Sequence, residues 1–485
     1  MSTATSTWEH PDRLRFNALP GGRALRAVLH RKRWPHVPFA QPPAGSALRP
    51  VDGSGGLPVI GRSVEALLDG PRFTQRCYDT YGPVSWNRAF GIRMVTALGP
   101  DATQAVLANA DKAFSQTGWE YFIGPFFRRG LMLLDAGEHM LHRRIMQEAF
   151  VRDRLATYLN RVDELAQKDI AGWPMHAQVF MYPSIKKLSL DIASDIFMGG
   201  ELDAAADRLH TAFVDTVRAG TAVVRKPIGN GKWARGLKGR AVLEEFFRSR
   251  LPAKRATDGD DLFAALCHAR TDDGETFSDD DVVSHMIFLM MAAHDTSTIT
   301  SSAVVGQLAA HPEWQEKARA ESLAVDGPLS LDVLDSLTTL DLCIKETLRI
   351  VAPVPSLARK TVADTELVGH FVPAGTLVGI SPWFNHYMPE IWSNPLAFDP
   401  ERFAEGRRED KQHRFAYVPF GGGAHKCIGM TFGVNEVKTL VHHLLRTRRF
   451  TVPPGYRTTW DLTSLPVPAD GMPVQLEPLH QGSLR

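Results

Sequence analysis

Cysteine is scarce in this chain: of 485 residues only Cys77, Cys267, Cys343 and Cys427 are cysteines, and they stand far apart. The first three fall in segments that read as helices, so no disulfide framework is expected and a reducing setting is favoured. No second cysteine or Cys/His pair completes a zinc set around Cys427. Apolar runs of roughly 18 residues or more are also missing, which excludes a membrane-spanning helix, and the N-terminus lacks the apolar stretch of a secretory signal. Neither sign of charge prevails, since 55 Lys and Arg stand against 54 Asp and Glu, and a near-neutral chain gives no reason to expect nucleic acid as a partner. No Gly-x-Gly-x-x-Gly lies between a strand and a helix, so no flavin or nicotinamide module is expected. There is no internal repeat. What is present is an ordinary globular composition, 44% hydrophobic and 22% charged, in a chain long enough to bury one large core.

The stretch that organises the chain is Phe420-Gly-Gly-Gly-Ala-His-Lys-Cys427-Ile-Gly429. Apolar residues then recur at Met430, Val434, Val437, Val441 and Leu444, a helical spacing, so Cys427 sits where a loop becomes a helix. The unpaired N–H groups and dipole of a helix N-terminus favour an anion, so the thiol pKa is expected to fall and the thiolate to form. A thiolate ligates metals. Three preceding glycines permit positive φ or close backbone approach, and Gly429 removes a side chain where a flat group could pack. One thiolate with open space around it suits an iron already held by four other ligands, as in haem; a structural cysteine behind a glycine turn is the plain alternative.

With Phe420, Gly423, Cys427 and Gly429 in place, this stretch resembles the haem-ligand signature of the cytochrome P-450 family, Phe-x-x-Gly-x-x-x-Cys-x-Gly. The resemblance implies a mainly α fold with small β-sheets, haem b (iron protoporphyrin IX) ligated by Cys427, and Phe420 and His425 beside the cofactor. Further motifs follow in the family's order. On a helix over 135–150, His139 and Arg143 are four residues apart and share one face. By spacing alone the pair suits a solvated face or the propionates of a haem; the family's Gly-Glu-x-His-x-x-x-Arg is matched except for one missing spacer.

Ser278-Asp-Asp-Asp281 reads as a capping box opening a helix of roughly 30 residues that stops before His311-Pro312. Within it lies Ala292-Ala293-His-Asp295-Thr296. An acid and a hydroxyl buried in mid-helix are costly unless partnered; the plain reading is a Thr hydroxyl bonded to a carbonyl one turn back. In the family, this stretch forms a groove where O2 binds and where Asp295 and Thr296 manage protons. Ala293 stands where the family usually has Gly, which puts the groove's shape in doubt. Glu346 and Arg349, three apart on another helix, would ordinarily be a weak surface pair. The resemblance instead implies a buried structural network with Arg402 of Pro400-Glu-Arg-Phe403, a pocket border at Val354 and Leu357, and a propionate contact for Arg359.

Trp119, Tyr121 and Phe122 lie in an aromatic segment, 119–127, too short and irregular to read as a firm helix. Such a cluster is commonly core; by resemblance these three, with Ala292 and Ala293, line the substrate pocket. Residues 64–78 read as a helix, 84–98 as a hairpin turning near Gly91, 362–378 as small strands with a turn at Pro373-Ala-Gly375, and 225–240 as a surface loop or mobile connection. Residues 41–56, rich in Pro, Gly and Ser, read as a linker and not as a packed element. Residues 1–40 carry seven Arg or Lys against two acids, with Leu14, Phe16, Leu19, Leu25, Val28, Leu29 and Trp34 among them. That arm suits peripheral contact with an anionic membrane, an organelle transit peptide or a solvated tail.

The resulting expectation is a basic arm and linker over 1–56 and a haem domain over 57–485. It would be a cytoplasmic monomer, peripheral at a membrane if the arm binds one. Its activity would be a monooxygenase that inserts one atom of O2 into a lipophilic steroid, terpenoid or fatty-acid-like substrate. Electrons would come from a separate ferredoxin or flavoprotein. A haem-thiolate sensor, isomerase or peroxygenase is the alternative.

Overall fold

The computed structural model describes residues 13–14, 20–89, 91–200, 206–222 and 224–479. Phe16 and Leu19 of the basic arm lie outside the described residues. The chain divides into two units: one comprises Met1–Gly118, Lys345–Gly423 and Gly455–Asp470, the other Trp119–Ile344, Ala424–Pro454 and Gly471–Arg485.

The first unit is built on a seven-stranded sheet of β1 (Val37–Pro38), β2 (Asp52–Ser54), β3 (Val84–Ala89), β4 (Ile92–Ala97), β5 (Phe114–Ser115), β6 (Leu357–Thr361) and β7 (Leu377–Ile380). Its order is β1-β2-β3-β4-β7-β6-β5. The hairpin β3–β4 turns at Gly91, whose φ of 79° is left-handed, as the sequence predicts. The stretch 41–56 departs from its linker reading: β2 pairs parallel with β3, Arg49–Pro50 pairs with His370–Val372, and Val51 is fully buried. Composition misleads here because Gly53 is a packing residue. A Cβ on it would collide with the Trp86 carbonyl of the neighbouring strand. The core beneath this sheet gathers Val51, Val84, Val95, Ala97, Val378 and Ile380. The helix predicted over 64–78 runs Ser63–Tyr81, with non-helical Asp69 and Pro71 breaking its regularity.

The second unit is helical. Its elements are α1 (Glu120–Phe127), α2 (Ala136–Gln147), α3 (Arg152–Ala171), α4 (Met181–Met198), α5 (Ala206–Ala219), α6 (Lys232–Ala256), α7 (Asp279–Ala310) and α8 (Met430–Thr447). The loop read over 225–240 is thus a helix from Lys232 onward. The aromatic segment 119–127 closes into the short helix α1 despite Pro125, after a 3₁₀ turn over Gln116–Trp119. Through the middle runs α7, 32 residues or about 48 Å at 1.5 Å per residue. Its start has the N-cap half of the predicted capping box, Asp281 N donating to Ser278 Oγ at 3.2 Å, while the Asp281 carboxylate accepts from the Ser278 hydroxyl at 2.6 Å in place of the backbone N–H. Three acids in the first turn complement the helix dipole. Every residue from Val282 to Met290 is buried, the all-round burial of a core helix. Around it pack α4, α6 and α8. Cys77, Cys267 and Cys343 are buried inside helices, and none of them forms a disulfide.

Candidate functional site

The loop before α8 is shaped by its glycines. Gly421 and Gly423 have φ of 69° and 66°, and a Cβ on Gly423 would strike the Leu107 carbonyl. Gly422 is closed off differently, by the Phe415 ring 2.8 Å from where its Cβ would be. A 3₁₀ turn over Gly423–His425 follows, then Cys427, then α8 with Gly429 as its N-cap. Phe420, at the head of the loop, is half-buried in the first unit.

Cys427 is the one exposed cysteine of the four. Surrounding protein nonetheless desolvates its thiol: burial pushes the pKa up, and the Gly429 backbone N–H, Arg143 and Lys426 oppose this. The expected fall in thiol pKa is therefore not produced by the polypeptide alone: Cys427 stands three residues ahead of the first helical residue, and burial outweighs the helix end. Gly429 is informative in a different way. Its φ of −87° suits any residue, and a Cβ there would meet no described atom within 4 Å. Neither backbone nor packing asks for glycine at that point.

Three nitrogen side chains gather near the loop. His139 on α2 is 1% exposed, so the reading of a solvated face does not apply to it. Its ring stacks on His425 with centroids 3.7 Å apart, and His425 Nε2 lies 3.8 Å from Asp135 Oδ1. Arg143, one turn along α2, is half-buried, and burial lowers its pKa, with Cys427 opposing. No carboxylate pairs with Arg143 among the described residues.

On α7, burial is interrupted at Met291, Ala292, Ala293 and Thr296, which are part-exposed within a stretch, 281–305, that is otherwise buried. Thr296 Oγ1 donates to the Ala292 carbonyl at 2.6 Å, the one-turn-back bond of the plain reading. The helix α7 runs unbroken through Ala293. Asp295 points elsewhere, buried, with Lys186 Nζ of α4 at 3.3 Å and His294 Nδ1 at 3.4 Å. Burial would raise its pKa, but His294 and Lys186 together hold it below the usual range.

Within the first unit, Glu346, Arg349 and Arg402 are all 0% exposed. Arg349 grips both Glu346 oxygens, Nε at 2.7 Å and Nη2 at 2.8 Å, while Arg402 Nε reaches Glu346 Oε1 at 3.2 Å. The network continues toward the loop. Arg349 Nη1 donates to the His386 carbonyl at 2.8 Å, and His386 Nε2 accepts from Val418 N at 3.0 Å, two residues before Phe420. Burial pushes the His386 pKa down to about 3, so the ring stays neutral and can accept. Arg359 on β6 is buried, its Nη1 donating to the Ala358 carbonyl at 2.8 Å; Val354 and Leu357 are half-buried.

Trp119, Tyr121 and Phe122 form edge-to-face pairs with centroids 6.3 and 5.2 Å apart. Sequence reasoning missed several polar groups nearby. Lys186, the partner of Asp295, is 109 residues away and has no motif. His142 and His285 join α2 to α7 through a buried 2.9 Å contact, both with lowered pKa. Glu436, buried on α8, has its pKa pushed up to about 7. Arg225 was passed over inside a stretch read as loop.

Known proteins resemble this chain over most of its length. The family model described as Cytochrome P450 matches residues 52–463. Cytochrome P450 136 of Mycobacterium tuberculosis is 49% identical over 470 residues, covering 96% of both chains. Human cytochrome P450 26B1 is 27% identical, covering 87% of this chain and 86% of its own. Taxane 10-beta-hydroxylase of Taxus cuspidata is 26% identical over 89% and 90%. Among solved structures, retinoic acid bound cyanobacterial CYP120A1 superposes with a TM-score of 0.81 at 26% identity, covering 88% of this chain and 98% of that one.

Proposed function

This chain belongs to the cytochrome P450 family, and from that premise we propose that it oxygenates an elongated isoprenoid-type lipophile with electrons from a separate protein donor. The family's proteins bind haem through a cysteine thiolate and are monooxygenases, which use O2, lipophilic substrates and redox partners. The residues present fit a haem. Gly429 leaves a face uncovered by protein, Arg143 holds a cation without a described acid, and Cys427 offers an accessible sulphur. Among the described residues no group of three His, Cys, Asp or Glu could hold a bare ion, so iron at Cys427 would arrive already held by a cofactor.

When bound, haem supplies the activation of O2 and the transfer of oxygen. The chain's residues do the rest. Cys427 Sγ would hold the iron, and Arg143, His139 and His425 would meet the anionic edge of the macrocycle. Arg359 keeps its propionate role on resemblance alone. Thr296, its own proton on the Ala292 carbonyl, has lone pairs free to accept from a water. Asp295, ionised between His294 and part-exposed Lys186, would move protons inward. The isoprenoid reading is supported by two relatives whose names carry retinoic acid and taxane.

The observation that carries this reading is Cys427, exposed where the other three cysteines are buried. Its test is the reduced carbon monoxide complex of Cys427→His, whose Soret band should move away from the wild-type position. An unchanged band would refute the ligand assignment. Turnover should need an added ferredoxin or flavoprotein, docking near Lys426, which is exposed; NADPH-driven turnover by the chain alone would refute that part.

We also propose that the N-terminal arm rests on an anionic bilayer. Residues 1–40 carry seven Arg and Lys against two acids, Glu9 and Asp12. The helix Gly22–Arg31 there leaves Leu25 and Val28 47% and 66% exposed. Sedimentation with phosphatidylserine vesicles, reversed by salt, should report this contact; equal binding to phosphatidylcholine would refute it.

A further inference from the structure

Arg225, in the connection between α5 and α6, is boxed by aromatic rings. Its guanidinium carbon stands 4.3 Å from the Tyr121 ring centroid, 5.3 Å from that of Trp233 and 5.9 Å from that of Phe122. Nη1 donates to the Tyr121 and Phe122 carbonyls, and Nη2 donates to the Gly220 carbonyl at 3.1 Å. Carbonyl dipoles satisfy N–H groups but do not neutralise a charge. Three guanidiniums of the surrounding helices do have acids: Arg235 pairs with Asp215 at 3.0 Å, Arg240 with Glu244 at 2.8 Å, and Arg128 with Glu244 at 2.8 Å. For Arg225 no carboxylate is paired among the described residues, and burial lowers its pKa. A half-buried cation of this kind is stabilised by an anion that comes from elsewhere.

The surroundings indicate what accompanies that anion. Along α1 the side chains pass from Tyr121, 40% exposed, through half-buried Phe122 to Phe126 and Phe127, fully buried. Beside Arg225, Val224 and Ile228 are 61% and 64% exposed. The cation therefore stands at the outer end of an aromatic strip that leads inward. A ligand with an apolar body and one planar anionic end matches it, the end meeting the guanidinium fork.

We propose that Arg225 is the counter-ion of a carboxylate at one end of the substrate, so that the enzyme takes a long lipophilic carboxylic acid. This rests on reading Trp119, Tyr121 and Phe122 as the wall of the substrate pocket. The test uses the full, haem-loaded chain and the Soret shift on titration with retinoic acid and with its methyl ester. Wild type should bind the acid about tenfold to a hundredfold more tightly than the ester, the range of a charge-assisted hydrogen bond. Arg225→Gln should bring the acid to the level of the ester and leave the ester unchanged, while Arg225→Lys should retain part of the preference. Equal binding of acid and ester by wild type would overturn the proposal and leave the isoprenoid reading standing. Equal weakening of both in Arg225→Gln would reduce Arg225 to a latch on α1 and overturn it too. Failure of wild type to bind either compound would overturn the isoprenoid reading, and the proposal with it. If Arg225→Gln does not fold, the wild-type comparison of acid with ester and the Arg225→Lys titration decide.

Discussion

Glu436 should make the stability of this protein fall as pH rises from about 4.5 to 7. The carboxyl sits on α8, 4% exposed, beside Leu155, Leu159, Val162 and Phe432. Burial raises its pKa from the usual 4.5 to about 7, and the nearby Ser297 and Ser189 hydroxyls only partly oppose this. Between those two values the folded chain keeps a proton that the unfolded chain has released. Its contribution is therefore complete below pH 4.5, lost progressively as pH rises through 7, and constant beyond. At about 1.4 kcal/mol per pH decade the loss amounts to roughly 3 kcal/mol. Glu436→Gln keeps the shape and an acceptor oxygen but cannot ionise. Urea unfolding of haem-loaded wild type and variant at pH 5 and pH 8 isolates the effect, because all other titrating groups are shared. The variant should gain about 2.5 kcal/mol on wild type between the two conditions, since part of the loss has already occurred at pH 5. An equal difference at both would mean that Glu436 is ionised in the folded chain or reaches water, and would refute the reasoning.

Glu346→Gln should leave Arg349 and Arg402 without their shared anion and cost about 3 to 5 kcal/mol, seen as a lower urea midpoint and poor recovery of haem-loaded protein; a midpoint within error of wild type would count against a structural role. Thr296→Ala removes one neutral hydrogen bond, so stability should change by only about 1 kcal/mol. Product formed per electron should fall while hydrogen peroxide rises; undiminished coupling would make the Ala292 bond the whole of this residue's role.

What the sequence made legible, and what it hid, follows from how far each feature depends on distant residues. The capping box at Ser278, the turn glycines Gly91 and Gly375, and the periodicity after Cys427 are local, and each stands where the pattern put it. The strands at 49–54 read as linker because Gly53 and Pro50 advertise a break, while their pairing is supplied by Trp86 and Phe371. Burial of His139 and of the Glu346 pair could not be read from spacing, which fits a solvated helix face equally well. Glu436, Lys186 and Arg225 had no motif at all. Their surroundings are assembled from α3, α4, α7 and the α5–α6 connection, whose proximity no local pattern encodes.

Gly429 separates two kinds of selection acting on one loop. Replacing Gly423 damages the polypeptide itself, because its φ and the Leu107 carbonyl forbid a side chain. Replacing Gly429 with alanine should leave the haem-free chain as abundant and as resistant to proteolysis as before, since no described atom lies within 4 Å of the added Cβ. The damage would register only in haem retention. A mutational scan scored for cellular abundance under haem starvation would therefore pass over Gly429 and Arg143, while the same scan under haem supply would single them out. The difference between the two maps would outline the cofactor's footprint without any ligand being observed.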